Sequence, residues 1–127
     1  MPCSYTSEAK DFKSSVTNTV YKSTTKYTCQ SVGVIYLVTC KKCKKQYVGQ
    51  TGRSARTRCM EHLRCLKNKT EATGIHFNEK GHQHKDFEFH IIEKVIPNTP
   101  QMRLQRENYW IITLNTKTPR GLNRNSI

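Results

Sequence analysis

The feature that most constrains the fold is a short apolar run at residues 32–39, Val-Gly-Val-Ile-Tyr-Leu-Val-Thr. Its β-branched and aromatic residues are typical of a central strand, and its length fits one strand. Val34, Tyr36 and Val38 are expected on one face of this strand, because successive side chains alternate. The run is far too short to cross a bilayer, so the sequence does not predict a membrane protein.

Further elements follow at regular intervals along the chain. Residues 46–49 predict a second strand after a hairpin loop, and residues 51–53 predict a turn. Ser54 is the expected N-cap of a helix reaching about Lys69. A short helix is predicted over 72–80 with Gly81 as its cap, and a third strand over 86–95. A last helix is expected from Pro100 to about Leu114, so the order predicts an α+β fold with helices packed on a sheet.

Residues 1–30 differ in composition from the rest of the chain. They hold eleven Ser or Thr residues and few large apolar side chains. This composition predicts a loosely ordered extension (1–30) before a domain at 31–127. The N-terminus lacks the apolar segment of a secretory signal, so we expect an intracellular protein whose six cysteines do not form a disulfide framework. A disulfide-bonded interaction protein is therefore the weakest alternative.

The charge of the chain is strongly positive and uneven. With 22 Lys and Arg against 9 Asp and Glu, the formal charge is +13. Residues 40–69 hold ten basic side chains and one acid, Glu61. A local run of one sign indicates contact with a polyanion, most often nucleic acid. The candidate DNA-binding residues are Lys41, Lys42, Lys44, Lys45, Arg53, Arg56 and Arg64.

A pair of cysteines falls in the predicted hairpin loop. Cys40 and Cys43 are separated by two residues, a spacing found in zinc knuckles and also in redox sites. His76 and His82 offer two imidazoles, and His84 is an alternative to His82. Thiolates and imidazoles in tetrahedral array suit zinc, and four protein ligands would make the site structural.

One acid lies where an apolar stripe is expected. Glu107 falls between Leu104 and Ile111 at helical spacing, and a carboxylate on such a face requires a cation. One hypothesis is an ion pair with Arg103, four residues earlier. The other is a divalent-metal site beside a nucleic-acid groove.

Several motifs occur in a characteristic order. They are Val34-Ile35-Tyr36, Tyr47-Val48-Gly49, Arg58 with His62 four residues later, Glu107 and Asn123. This order resembles the GIY-YIG nuclease family, and residues 34–53 resemble the endonuclease domain of Penelope-like retroelements, in which a cysteine pair and a histidine pair accompany these motifs. Val34 replaces the leading glycine of the first motif, and Val48 replaces isoleucine in the second.

The resemblance implies a fold with a small three-stranded antiparallel sheet flanked by helices. It also implies an enzymatic activity, the hydrolysis of DNA phosphodiester bonds with one divalent metal ion. Glu107 would hold Mg²⁺ or Mn²⁺, and Tyr36 would accept the proton of the attacking water. Arg58 would offset charge on the phosphate, with Arg56 as a lesser candidate. The remaining roles would fall to His62 and Tyr47, which orient the reacting groups, and to Asn123, with Asn115 and Asn125 as alternates.

The biological role that the resemblance implies is nicking of target DNA for retroelement insertion. The protein would then be nuclear, with a reverse transcriptase domain in its parent protein. The principal alternative is a non-catalytic, basic, zinc-containing nucleic-acid-binding module, which would give Glu107 and Tyr36 no task. The sequence leaves open the substrate preference, nicking against double-strand cleavage, and the oligomeric state.

Overall fold

The computed structural model describes residues 11–23 and 27–124, so Cys3 and Asn125 lie outside the described residues. The strands are β1 (Asp11–Lys13), β2 (Val20–Lys22), β3 (Val32–Cys40), β4 (Gln46–Ser54) and β5 (Phe87–Lys94), and the helices are α1 (Ala55–Asn68), α2 (Glu71–His76) and α3 (Pro100–Leu114). A 3₁₀ turn at His84–Asp86 precedes β5. β1 and β2 pair in a small antiparallel sheet, and the main sheet has the antiparallel order β4-β3-β5. The predicted α+β fold and three-stranded antiparallel sheet are confirmed.

β3 is the central strand and is covered on both faces. Val34, Tyr36 and Val38 share one face, as predicted, and pack with apolar side chains of α1. Ile35 and Leu37 point to the other face, where α3 and the β1–β2 hairpin cover them. Coverage on both sides is the physical reason for the continuous apolar run, since neither face of the strand meets water from Gly33 to Val38.

The predicted turn at residues 51–53 is wrong. β4 continues through it, with Thr51 opposite Val34 and Ser54 opposite Val32, and a bulge lies between these two pairs. The strand therefore has nine residues and leads directly into α1. Backbone pairing along the full length of β3 outweighs the turn tendency of the sequence Thr-Gly-Arg.

The helix boundaries agree with the predictions at α1 and α3 and differ at α2. The side chains of Ser54 and Thr99 accept hydrogen bonds from the backbone of Thr57 and Met102, as expected of N-caps. α2 ends at His76 rather than near residue 80. Gly81 does have a positive φ of 85°, but it lies in the loop beyond the helix.

The helical spacing of Ala55, Cys59, Leu63 and Leu66 predicts that these four residues of α1 face the core. Ala55, Cys59 and Leu66 are buried and Leu63 is half-buried, while His62 and Cys65 are buried in addition. The polar His62 takes a core position because two hydrogen-bond partners meet it there, as described below.

Part of the Ser/Thr-rich region has a defined structure, contrary to the expectation of loose order. Phe12 of β1 is buried, and its ring lies 5.2 Å from that of Trp110 and 5.7 Å from that of Tyr21. The hydroxyl of Ser14 donates a 2.7 Å hydrogen bond to the carbonyl of Leu114 at the end of α3. The β1–β2 hairpin is thus a layer of the domain that covers one face of the main sheet.

Among the helices that the structure describes, none has the length and apolar character needed to cross a membrane.

Candidate active site

A chain of hydrogen bonds runs through Arg58, Tyr36, His62 and Thr73. Nε of Arg58 donates to the Tyr36 hydroxyl at 3.0 Å, and that hydroxyl lies 2.7 Å from Nε2 of His62. Nδ1 of His62 lies 2.9 Å from Oγ1 of Thr73. The helical spacing of Arg58 and His62 on α1 brings both side chains to the same phenol.

The directions of these bonds follow from the donors available. Arg58 can only donate, so the oxygen of Tyr36 accepts from it and its own hydrogen points to Nε2 of His62. This order requires the proton of a neutral His62 to lie on Nδ1, which faces Oγ1 of Thr73. Burial, and secondarily the charge of Arg58, lower the pKa of His62 to about 4, so the imidazole is neutral near pH 7. Burial also raises the pKa of Tyr36 well above the usual value, so the phenol keeps its proton.

Gly49 of the second motif makes room for Tyr36. The two residues are opposite each other on β4 and β3, and a Cβ added to Gly49 would lie 2.3 Å from the phenol oxygen. On another side the ring stacks on Phe89 with centroids 4.7 Å apart. The glycine therefore allows the sheet to hold a fully buried tyrosine whose hydroxyl reaches α1.

Tyr47 borders an open cleft at the β4 edge of the main sheet. The cleft has a volume of 620 Å³, and α2 and α3 form walls of it. Its lining residues are Tyr47, Glu71, Ala72, Leu104, Glu107, Asn108, Ile111, Asn123 and Arg124. Tyr47 is half-buried and lies beside Tyr36 and His62, with ring centroids 6.5 and 5.8 Å away, so it separates the hydrogen-bonded chain from the cleft.

Glu107 faces this cleft as a half-buried carboxylate. None of the described residues forms a hydrogen bond or an ion pair with it. Burial raises the pKa of Glu107, and the charge of Arg58 opposes that shift. The negative charge of Glu107 in turn contributes to the raised pKa values of Tyr47 and Tyr36, after burial as the main cause. The carboxylate therefore belongs to the same electrostatic site as both tyrosines and Arg58.

The structure contradicts one of the two hypotheses for Glu107 and places the apolar stripe around it at the cleft. Arg103 donates instead to Gln50 Oε1 at 2.8 Å and to Asn98, and forms no ion pair with Glu107. Leu104 is 56% exposed, so the stripe that it shares with Glu107 lines the cleft, while Trp110 and Leu114 fill the core. The face of α3 that carries Leu104 and Glu107 lines the cleft, because α3 packs on the sheet through the face that carries Trp110 and Leu114.

Sequence analysis missed two acids that pair with Arg58. Its guanidinium donates to Glu71 at 3.1 Å and to Glu61 at 3.4 Å. Glu61 is three residues from Arg58 on α1, a spacing that could have revealed the pair. Glu71 has no such signal, because it comes into reach only where the chain turns from α1 into α2, through Lys69 and Glu71 with positive φ.

Asn123 lies beside the cleft and bonds to the edge strand. Its side-chain amide accepts from the Val48 amide at 2.7 Å and donates to the Val48 carbonyl at 2.9 Å. Its oxygen also accepts from the Thr116 hydroxyl at 2.7 Å. Asn123 is therefore held by Val48 of the second motif and supports β4, while the alternate Asn115 caps α3 in a left-handed conformation.

Cys40, Cys43, His76 and His82 form a second group of polar side chains, with ligand atoms all within 4.8 Å of one another. Nε2 of His76 lies 3.3 Å from Sγ of Cys43, and its Nδ1 pairs with Glu79 at 3.3 Å. Both ring nitrogens of His82 are buried without a hydrogen-bond partner among the described residues. The structure leaves His84 outside, bonded to Asn78. Two thiols and two imidazoles, one of them with both nitrogens lacking a hydrogen-bond partner, fit a tetrahedral metal ion.

The predicted DNA-binding residues are in two places rather than one. Lys41, Lys42 and Lys44 are exposed, with the half-buried Lys45, at the tip of the β3–β4 hairpin beside the Cys/His group. Arg53 lies at the other end of β4, about 23 Å away at 3.3 Å per residue, and pairs with Glu61 at 2.6 Å. Arg64 is exposed and Arg56 half-buried on α1. The nine-residue strand β4 therefore separates the basic residues of the hairpin tip from those at Arg53 and on α1.

The fold and the buried Arg-Tyr-His chain define the family. The profile of the GIY-YIG catalytic domain matches residues 32–123, most of the chain, and the protein belongs to this family. Among solved structures it is similar to one described as the catalytic domain of the homing endonuclease I-TevI. The TM-score is 0.63 at 27% sequence identity, and the match covers 74% of this chain and 99% of the other. No curated protein sequence matches this chain at a significant level.

Proposed function

We propose that this protein is a divalent-metal-dependent endonuclease that hydrolyses phosphodiester bonds in DNA. The observation that carries the proposal is the position of Glu107 on a cleft whose border residue, Tyr47, lies beside the chain of Arg58, Tyr36 and His62. Glu107 is a half-buried carboxylate without a hydrogen bond or ion pair among the described residues, and its charge interacts with Tyr36 and Arg58. Family membership and the similarity to a homing endonuclease catalytic domain support the same activity.

The donor set at the cleft fits a divalent cation of the hard type. An unpaired carboxylate that is half-buried is costly unless a cation neutralises it, and oxygen ligands suit Mg²⁺ or Mn²⁺. Glu107 would hold this ion. When bound, such an ion supplies Lewis-acid stabilisation of negative charge on phosphate oxygens.

The hydrogen-bonded chain gives each of its members a task. Tyr36 would accept the proton of the attacking water at its oxygen as it passes its own hydrogen to Nε2 of His62, which is neutral and already 2.7 Å away. Because Tyr36 is fully buried behind Tyr47 and its oxygen is bonded to Arg58, this transfer requires Tyr47 to open a path for the water and Arg58 to turn towards the substrate phosphate. A guanidinium there would offset the charge that grows on the phosphate. Tyr47, on the border of the cleft, would orient the water or phosphate.

The Cys40, Cys43, His76 and His82 group is proposed to hold a structural zinc ion. All four ligands would come from the protein, so no position would remain open for a reacting water. The ion would fix the hairpin tip, with its lysines, relative to α2. The exposed Lys41, Lys42 and Lys44 are then proposed to contact the DNA backbone.

The resemblance to Penelope-like elements suggests an origin and a biological role for the domain. We propose that the domain derives from a retroelement, acts in the nucleus and nicks target DNA, beside a reverse transcriptase in the parent protein. The Cys/His group between and after the name motifs supports this origin, because the same pairs accompany the motifs in that family.

A plasmid-relaxation assay with Mg²⁺ or Mn²⁺ tests the activity. The wild-type protein should convert supercoiled DNA to the relaxed form, and a chelator should abolish this. Glu107→Gln should slow cleavage by about 10²-fold or more, because it removes the charged ligand while keeping the shape of the side chain. Glu88→Gln is the matched control, since Glu88 lies on β5 at the opposite edge of the sheet.

Two outcomes of this assay would contradict parts of the proposal. Binding of DNA without cleavage in either metal ion would favour the non-catalytic module. Wild-type cleavage by the Glu107→Gln variant would exclude Glu107 as the ligand while leaving the nuclease activity in place.

A further inference from the structure

The short helix α2 connects the two polar groups described above. Thr73, in its middle, contacts His62 at 2.9 Å, and His76, at its end, belongs to the Cys/His group. α2 packs closely on α1, since a Cβ added to Gly74 would lie 2.3 Å from the carbonyl oxygen of Cys65. Thr73 is therefore held at a fixed position beside His62, with 1% of its surface exposed.

Thr73 is the only described residue that the hydrogen bonds place at Nδ1 of His62. The opposite nitrogen, Nε2, faces the Tyr36 hydroxyl. A neutral imidazole has one N–H and one acceptor, so the two contacts must be of opposite kind. If the proton moved to Nε2, both Arg58 and His62 would donate to the oxygen of Tyr36, and the hydrogen of the phenol would lose its acceptor.

We propose that Thr73 is a positioning residue that keeps the proton of His62 on Nδ1 and so leaves Nε2 free to accept from Tyr36. It touches neither the substrate nor the cleft and acts through His62. The role of the pair in turnover depends on the proposed nuclease function. The hydrogen-bond order itself does not, because it is a property of the protein without substrate.

Side-chain ¹⁵N NMR of the five histidines tests the hydrogen-bond order independently of activity. A spectrum of His62→Gln identifies the signals of His62. The wild-type protein and Thr73→Ser, which keeps the hydroxyl, should show one neutral tautomer with the proton on Nδ1. Thr73→Val, which has nearly the same shape without the hydroxyl, should show a mixture of tautomers. A proton on Nε2 in the wild-type protein would overturn the proposal without any variant.

The second measurement is steady-state cleavage by the same proteins. Thr73→Val should lower kcat by about tenfold or more, within the usual contribution of a proton-transfer group, and leave KM unchanged. Thr73→Ser should restore kcat. Thr113→Val, at a half-buried threonine of α3, is the control and should cleave like the wild type.

The outcomes separate the two proposals. Wild-type kcat in folded Thr73→Val, or no rescue by Thr73→Ser, would overturn the role of Thr73. If the wild-type protein itself cleaves no DNA, the proposed function fails, while the NMR spectra still decide which nitrogen of His62 carries the proton.

Discussion

At the scale of single residues, the site depends on a histidine that stays neutral. His62 is fully buried, and its two nitrogens contact Tyr36 and Thr73. A positive charge at this position would meet the guanidinium of Arg58 in a medium of low polarity. The proposed proton transfer therefore requires that His62 is neutral and shielded from water in the protein without substrate.

This has a measurable effect on stability. The pKa of His62 is about 4 in the folded chain and about 6.5 in an unfolded one. As the pH falls below 6.5 the unfolded state takes up the proton first, so the stabilisation present above this pH is progressively lost towards pH 4. Between about pH 7 and pH 5 the loss from this group is about 2 kcal/mol.

Urea denaturation of the wild-type protein and of His62→Gln at these two pH values measures the difference. The free energy of unfolding should fall by about 2 kcal/mol more in the wild type than in the variant, which cannot titrate. Equal losses in both proteins would show that His62 is protonated as easily in the folded chain as in the unfolded one.

At the scale of secondary-structure elements, the β1–β2 hairpin covers the face of the main sheet opposite α1. Phe12 is 4% exposed against Trp110, whereas Val20 on the paired strand is 57% exposed. Burial on this scale makes the hairpin a part of the core. It also packs on the helix that carries Glu107.

Substitutions in the hairpin test this role. Phe12→Ala should destabilise the protein by about 3–4 kcal/mol, the usual cost of deleting a buried phenylalanine. Val20→Ala is the matched control and should change the stability by less than about 0.5 kcal/mol. Thermal unfolding of both variants is the measurement, and an unchanged midpoint for Phe12→Ala would show that the hairpin is dispensable.

The sequence predicted the main elements because their signals are local. The apolar run of β3 and the caps Ser54 and Thr99 each depend on a few neighbouring residues. The hairpin was missed because three-residue strands in a Ser/Thr-rich region carry little pattern, and Phe12 is recognised as core only once Trp110 lies beside it. The prediction of a turn at 51–53 was wrong because it, too, depends on residues distant in sequence: the backbone of this segment pairs with β3.

The site residues were predicted from the order of family motifs and not from local secondary-structure signals. Tyr36, Tyr47, Arg58, His62, Glu107 and Asn123 were named through the order of family motifs. The hydrogen bonds that Thr73 and Glu71 make to α1 were not predictable, because these residues reach α1 only through the turn between two helices. The location of the apolar stripe on α3 was not predictable, since a periodic pattern does not distinguish a helix face that packs on a sheet from one that lines a cleft.

At the scale of the whole molecule, α2 joins the Cys/His group, to which His76 at its end belongs, to the proposed active site, where Thr73 contacts His62. Elemental analysis of the purified protein should find about one zinc per chain, as four protein ligands imply. Cys43→Ser should lose the metal and lower the midpoint of thermal unfolding, because the hairpin tip and α2 are no longer joined.

The control for this experiment is His84→Gln. His84 is near the group in sequence but bonds to Asn78, so this variant should keep its zinc. Zinc retained by Cys43→Ser, or lost from His84→Gln, would show that the ligand set differs from the four residues that the structure brings together.

The proposed catalytic groups come from opposite sides of the main sheet. Arg58 and His62 are on α1, which packs on one face, and Glu107 is on α3, which packs on the other. Tyr47 of the edge strand β4 lies beside His62 and lines the same cleft as Glu107. A partly folded chain in which either α1 or α3 has not packed on the sheet lacks some of these groups. Such a form should therefore not cleave DNA, and nuclease activity should arise only when folding is complete.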